Sequence, residues 1–185
     1  HNANKVKEVR NQLMGTYEIL GLNDIGFREE IIEDKKTIVE NSIAKVRFVK
    51  ERTGYDCFAD DTGLEVNALN GKPGVFSKRF AGQNASSDDN INKLLHMLKG
   101  KQDRSAQFRT VISLFNNGEI QTFEGICKGN IGFKRSGNFG FGYDSIFIPK
   151  NKNISFGQMS LEEKNKIAHR ARAVNKLIGY LTNLY

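Results

Sequence analysis

Long apolar runs are absent from this chain. Nothing approaches the roughly 18 consecutive apolar residues of a membrane-spanning helix, and no secretory h-region is found, so the sequence points to no membrane partner. Cysteine is scarce. Cys57 and Cys127 sit alone in strand-like runs with neither metal-ligand nor disulfide spacing, and read as buried free thiols of a reducing cytoplasm. No repeat, low-complexity segment or linker interrupts the 185 residues, so one domain spanning 1–185, or two lobes sharing a sheet, is expected. Acidic residues are outnumbered, 21 against 28 Lys and Arg, and the net charge of +7 suits an anionic partner. That partner could be nucleic acid or a nucleotide polyphosphate. No basic tail or arm stands out; Lys5, Lys45, Lys78, Arg79, Lys164 and Arg170 are dispersed, which argues against nucleic acid.

Helical and extended patterns alternate along the chain. Val6, Val9 and Leu13 recur at helical spacing near its start. Thr37-Ile-Val-Glu40 reads as a capping box ahead of Val39, Ile43, Val46 and Val49, and Gly54 closes that helix. Residues 55–59 and the alternation Leu64, Val66, Ala68 read as two strands, with a turn at 70–74. Ser87 is expected to cap a helix that turns Ile91, Leu94, Leu95 and Leu98 inward. Strands at 106–115 and 119–126 flank Asn116-Asn117-Gly118, a hairpin signal because positive φ is tolerated there. A Gly-rich stretch then leads to a strand at 145–149. Ser160-x-x-Glu163 is a second capping box, and one helix is expected from it nearly to Tyr185, with the stripe Ile167, Ala171, Val174, Ile178, Leu181. Helices interleaved with strands predict an α/β fold with a mixed β-sheet.

Three segments carry the chemistry. In Phe58-Ala-Asp60-Asp61-Thr62-Gly63-Leu64 an apolar strand delivers two carboxylates to a candidate turn. Adjacent strand residues point to opposite faces, so both reach one metal only if the chain bends, and Thr62-Gly63 is placed to supply that bend. Asp61 is the favoured metal ligand and base for an attacking water, with Asp60 a supporting ligand or a structural hydrogen-bonder. Glu33, in a polar loop without a capping duty, is the better second ligand than Glu40, which the capping box already occupies. Phe139-Gly-Phe141-Gly142-Tyr143-Asp144 alternates aromatics with glycine. The glycines let backbone approach a ligand, an aromatic can stack on a base, and an Asp can accept from ring N–H groups. Lys164, His169 and Arg170 supply cations from the last helix. At about 100° per residue, Lys164 and Arg170 flank its apolar stripe whereas His169 falls roughly opposite, unless the helix deforms there. Asn2 and Lys5 lie at the edge of the first helix, where free N–H groups and a lysine make an anion site. Carboxylates for a hard divalent cation, with cations and backbone amides for phosphates, point to a Mg²⁺-dependent nucleotide hydrolase.

In this order the segments resemble the inosine/xanthosine triphosphate pyrophosphatase family over essentially the whole chain. The resemblance runs from Asn2-x-x-Lys5 through Glu40-Asn41, Ala59-Asp-Asp-Thr-Gly-Leu64 and Gly71-x-Pro-Gly-Val-x-Ser77. It continues through Ala106-x-Phe108, Gly140-Phe-Gly-Tyr-Asp144 and Glu163-Lys164 to His169-Arg170. It implies a long mixed sheet flanked by helices in two lobes, a nucleotide in the cleft between them, and a homodimer. By position, Asp61 corresponds to the catalytic acid and Mg²⁺ ligand, and Glu33 to the other metal-linked acid. Thr62, Asn2, Lys5, Phe141, Gly142, Tyr143, Asp144, Lys164, His169 and Arg170 correspond to substrate contacts. The expected reaction is hydrolysis of ITP, dITP and XTP to the monophosphate and pyrophosphate. The alternatives are a pyrophosphatase for other modified nucleotides and a basic nucleic-acid-binding module. The family pattern also begins with a strand that is expected upstream of residue 1, and Ser42 stands where Ala is common.

Overall fold

The computed structural model describes residues 17–183. Its sheet comprises β1 (Cys57–Val66), β2 (Pro73–Gly74), β3 (Ser105–Asn116), β4 (Glu119–Ile131) and β5 (Phe147–Pro149), in the spatial order β2-β1-β3-β4-β5. Helices α1 (Ile38–Thr53), α2 (Ser87–Met97), α3 (Leu161–Asn165) and α4 (His169–Thr182) complete an α/β fold. Every ladder among the described residues is antiparallel, so the parallel pairing of the expected mixed sheet is not found there. The local reason is visible at Asn117 and Gly118, whose φ values of 50° and 86° make the tight turn that folds β4 straight back on β3. A parallel neighbour would need a long crossover instead.

Sheet alternation sorts the chain into two faces. α1 packs on β1 and β3 from one side and α4 on β3 and β4 from the other. Odd-numbered β3 residues meet α1, as in the 2.7 Å bond between the Ser42 and Ser113 hydroxyls. Even-numbered ones meet α4, where Ile112 and Leu114 pack with Ala173, Val174, Leu177 and Leu181. A larger core lies toward the other end of the sheet, where Leu64, Val66, Phe108 and Ile131 meet Leu94, Leu98, Phe147 and Phe156. Each such fully buried side chain contributes about 1.5–3 kcal/mol.

Several local expectations hold and several shift. The Thr37–Glu40 and Ser160–Glu163 capping boxes both form, and Gly54 ends α1 in the left-handed region. The cap of α2 is Ser86, not Ser87; its hydroxyl accepts from the Asp89 amide while Asp89 bonds back. Residues 57–66 form one strand where two were expected, because the β1–β3 ladder continues through Thr62 and Gly63. No helix among the described residues is long and apolar enough to cross a membrane.

Candidate active site

An open cavity of about 1450 Å³ runs along the outer edge of β1. β2 pairs with β1 only at Leu64 and Glu65, so among the described residues the edge from Cys57 to Gly63 carries no further strand. Every residue from Cys57 to Leu64 therefore lines the cavity, where an interior strand would offer only alternate residues.

Alternation also divides the two aspartates. The bend expected at Thr62-Gly63 is absent, since β1 stays in register with β3 from Cys57 to Val66. Asp61 leaves the face covered by α1 and Asp60 the opposite one, so the pair does not converge on one cation. The Asp60 carboxylate instead meets the Arg170 guanidinium at 3.5 Å. Gly63 serves a different need: a Cβ there would stand 2.5 Å from the Gly74 carbonyl oxygen and 2.9 Å from Ile38 Cδ1. It is where β2 and α1 close on the strand.

Asp61 is 7% exposed and gripped from α1. Lys45 Nζ donates to Asp61 Oδ1 at 3.0 Å, and Asn41 Nδ2 donates to Oδ2 at 3.3 Å. The same ammonium lies 2.7 Å from Glu33 Oε1. Arg79 holds Glu33 from its other side, donating to its carbonyl oxygen at 2.8 Å. Burial pushes the Asp61 carboxyl above the usual carboxylate range, against the pull of Lys45. Burial also opposes the charge on Lys45, but the Asp61 and Glu33 carboxylates outweigh it and hold that ammonium above its ordinary value. A carboxylate raised in this way is a stronger base toward water.

No three His, Cys, Asp or Glu side chains converge on a metal position among the described residues. The donor chemistry nevertheless fits a hard divalent cation. Glu33 and Asp61 already share one positive charge, the Lys45 ammonium. Mg²⁺ is commonly held by one or two carboxylates, with its other positions left to water and phosphate.

The cationic and aromatic half of the cavity is built from the Gly-rich segment and the last helices. Gly140 and Gly142, at φ of 79° and 58°, set Phe141 outward at 65% exposure. A Cβ on Gly140 would run into the Asp144 carboxylate. Asp144 Oδ2 accepts from the Phe141 amide at 2.8 Å and from Lys164 Nζ at 2.5 Å. Lys164 Nζ lies 5.1 Å from the Phe141 ring centroid, and the Arg170 guanidinium carbon 5.8 Å from it. Tyr143 is buried, and its hydroxyl donates to the Ser77 carbonyl at 2.9 Å, tying this segment to the turn after β2. Burial pushes that phenol above its ordinary value.

The single long helix expected from Ser160 is two helices, with a break at residues 166–168. The break resets the helical phase, so His169 does not face away from the core. It opens α4 at 5% exposure and lies flat on Phe108, with ring centroids 4.6 Å apart at 16°. Thr62 shares a 2.7 Å hydroxyl bond with Thr110 and lies 3.5 Å from Arg170 Nη2. Glu33, Asp60, Asp61, Thr62, Phe141, Gly142, Tyr143, Asp144, Lys164, His169 and Arg170 all line the one cavity. Asn2 and Lys5 lie outside the described residues.

Sequence reasoning passed over Lys45 as one of many dispersed cations. Asn41 and Lys45 stand four residues apart on α1, among the buried Ile38, Ser42, Val46 and Val49. Polar side chains interrupting an inward face were the available signal. Phe108, the platform for His169, looks like ordinary core from its strand pattern.

An acidic end and an aromatic, cationic end meet in one open cavity, an arrangement whose shape and charge suit a flat, multiply anionic ligand. Comparisons with known proteins place the chain more narrowly. The Ham1 family model matches residues 1–180, and the chain belongs to that family. It is 50% identical over 183 residues to a dITP/XTP pyrophosphatase of Flavobacterium psychrophilum, covering 99% of this chain and 96% of that one. It is 46% identical to the dITP/XTP pyrophosphatase of Porphyromonas gingivalis, covering 98% and 94% respectively. Among solved structures, the Staphylococcus aureus Ham1 protein superposes with a TM-score of 0.94 at 36% identity, covering 100% of this chain and 96% of that one.

Proposed function

We propose that this chain hydrolyses dITP, ITP and XTP to the nucleoside monophosphate and pyrophosphate in a Mg²⁺-dependent reaction. The observation that carries the reading is the sharing of one cation position by Glu33 and Asp61, at 2.7 and 3.0 Å from Lys45 Nζ, in the same cavity as Phe141, Lys164 and Arg170. Asp61 and Glu33 would hold Mg²⁺, which when bound offsets charge on the phosphates and on the leaving pyrophosphate.

Asp61 takes the proton from a water that attacks the α-phosphorus; the bond from that phosphorus to the bridging oxygen breaks, and pyrophosphate leaves. Asn2 and Lys5 hold the phosphate chain, with Lys164 and Arg170 nearer the nucleoside. The base stacks on Phe141. A 6-oxo purine accepts from this cationic end, whereas a 6-amino purine presents the opposite pattern and leaves buried partners unpaired. Asp60 serves as the counter-ion of Arg170 rather than as a ligand. In this reading residues 1–185 form one catalytic domain of two lobes, working as a cytoplasmic homodimer.

The test is pyrophosphate release from dITP, XTP, GTP, ATP and dUTP, with Mg²⁺ and with EDTA. Mg²⁺-dependent turnover of dITP and XTP at least about a hundredfold above ATP in kcat/KM is expected, well below the ~10⁴-fold that a site hydrogen-bonding its substrate reaches. Turnover of ATP and dITP alike would defeat the specificity claim. No turnover with steep salt-dependent binding to oligonucleotides would favour a nucleic-acid module instead.

A further inference from the structure

Thr62, Thr110 and Gly125 pair in turn across β1, β3 and β4, forming one register line through the sheet. This line lies under the first turn of α4. A Cβ on Gly125 would run into the His169 carbonyl oxygen and stand 2.6 Å from the Ala173 amide nitrogen. Both are backbone atoms of α4, so no rotamer change relieves the collision and the helix itself has to move. Thr110 is fully buried, and its hydroxyl bonds that of Thr62 at 2.7 Å. Thr62 in turn lies 3.5 Å from Arg170 Nη2.

The lines on either side are bulkier. Leu64, Phe108 and Cys127 form one, and Phe108 carries the His169 ring. Asp60, Ile112 and Phe123 form the other, where Asp60 meets Arg170 and Ile112 joins the apolar contact with α4. The small residues between them make a step into which the helix start descends. No side-chain cap closes that start, since Ala168 precedes it. Packing therefore fixes where α4 begins.

We propose that the Thr62–Thr110–Gly125 line is a positioning floor. It sets the depth and rotation of the first turn of α4, and through it the placement of His169 and Arg170 in the cavity. Gly125 and Thr110 are positioning residues that act without touching the nucleotide. The kinetic half of the claim rests on the reaction proposed above; the placement of the helix does not.

The experiment compares Gly125→Ala with Gly129→Ala in the full chain. Gly129 is the matched control, because a Cβ there would collide with the Ile148 carbonyl and the Phe147 ring and with no backbone atom of α4, although Phe147 packs on Phe108. Two readouts are taken: KM and kcat for dITP, and the imidazole proton resonances of His169, identified by their loss in His169→Gln. Stacking on Phe108 shifts those resonances by its ring current. Gly125→Ala is expected to move them and to raise KM by roughly tenfold with kcat changed less than about threefold. Gly129→Ala is expected to lower stability and leave KM and kcat in place, with a smaller resonance shift passed through Phe147 and Phe108.

Should Gly125→Ala fail to fold, Thr110→Val decides. It keeps the shape, removes the bond to Thr62, and should raise KM by about threefold, with Thr110→Ser restoring it. A folded Gly125→Ala with the parent's His169 resonances and KM would overturn the proposal, as would equal changes in Gly129→Ala. So would a Thr110→Val indistinguishable from the parent when Gly125→Ala cannot be read. If the parent chain turns over none of the nucleotides, the reaction proposal fails, and the resonances alone decide the floor.

Discussion

The two halves of the cavity are held in opposite ways. On the α1 side, Asp61, Glu33 and Lys45 are locked together by ion pairs, with Asn41 and Arg79 bracing them. On the α4 side, Phe141 stands 65% exposed on two left-handed glycines, above cations that are themselves pinned by Asp144 and Asp60. The first half is organised by charge before any ligand arrives. The second presents a bare ring with cations beneath it, ready for a flat partner. A hydrolase for triphosphates needs both, because the reacting phosphorus must be fixed while the base is chosen.

That contrast is broken most strongly at Asp61. Asp61→Asn keeps the size but leaves one oxygen to accept where Lys45 and Asn41 now use two. It also removes the proposed base, and kcat for dITP should fall by about two to three orders of magnitude or more. Near-parental turnover would show that the α1 half is structural. Lys45→Met strips the shared cation and leaves two carboxylates facing each other. Breaking such a pair costs about 3–5 kcal/mol when fully buried. Glu33 is 32% exposed on its side chain, so solvent screening reduces the expectation to about 2–3 kcal/mol in urea unfolding. Added Mg²⁺ should recover part of that loss; no recovery would deny the two carboxylates a common metal.

Effects on the α4 side should be smaller and appear in KM. Lys164→Ala removes a charged donor and should raise KM for dITP by about tenfold or more, within the range for hydrogen bonds to charged groups. A pure kcat effect would contradict its proposed role in binding. Phe141→Ala should raise KM by about fivefold, the low end for base stacking, since the ring is exposed on one side. Cys57 gives the smallest test. Burial pushes its thiol up to about 11, so only about one in a thousand is thiolate at pH 8. Iodoacetamide should leave it unmodified there and label it only as the pH climbs above about 10. Rapid labelling at pH 8 would show that this end of β1 opens.

How far the sequence reached depends on whether a signal is local. The capping boxes at Thr37 and Ser160, the Gly54 stop and the Asn117-Gly118 turn were all legible, because each satisfies backbone groups within a few residues of itself. Asp61, Lys164 and the Phe141–Asp144 segment stood out for a related reason: charged and glycine-flanked residues in apolar surroundings are costly unless they do something. The same periodicity failed at residues 166–168, where an unbroken wheel turned His169 to solvent. In the structure the helix stops and restarts there, with His169 packed on Phe108 and the new first turn lying over Gly125. Likewise the sequence alone determined that Asp60 and Asp61 are neighbours, with opposite faces available to them. The tertiary structure decided that the strand stays straight and assigned one to Arg170 and the other to Lys45. Which partner a side chain meets across the sheet depends on register and helix placement, and these are set by contacts between residues far apart in the chain.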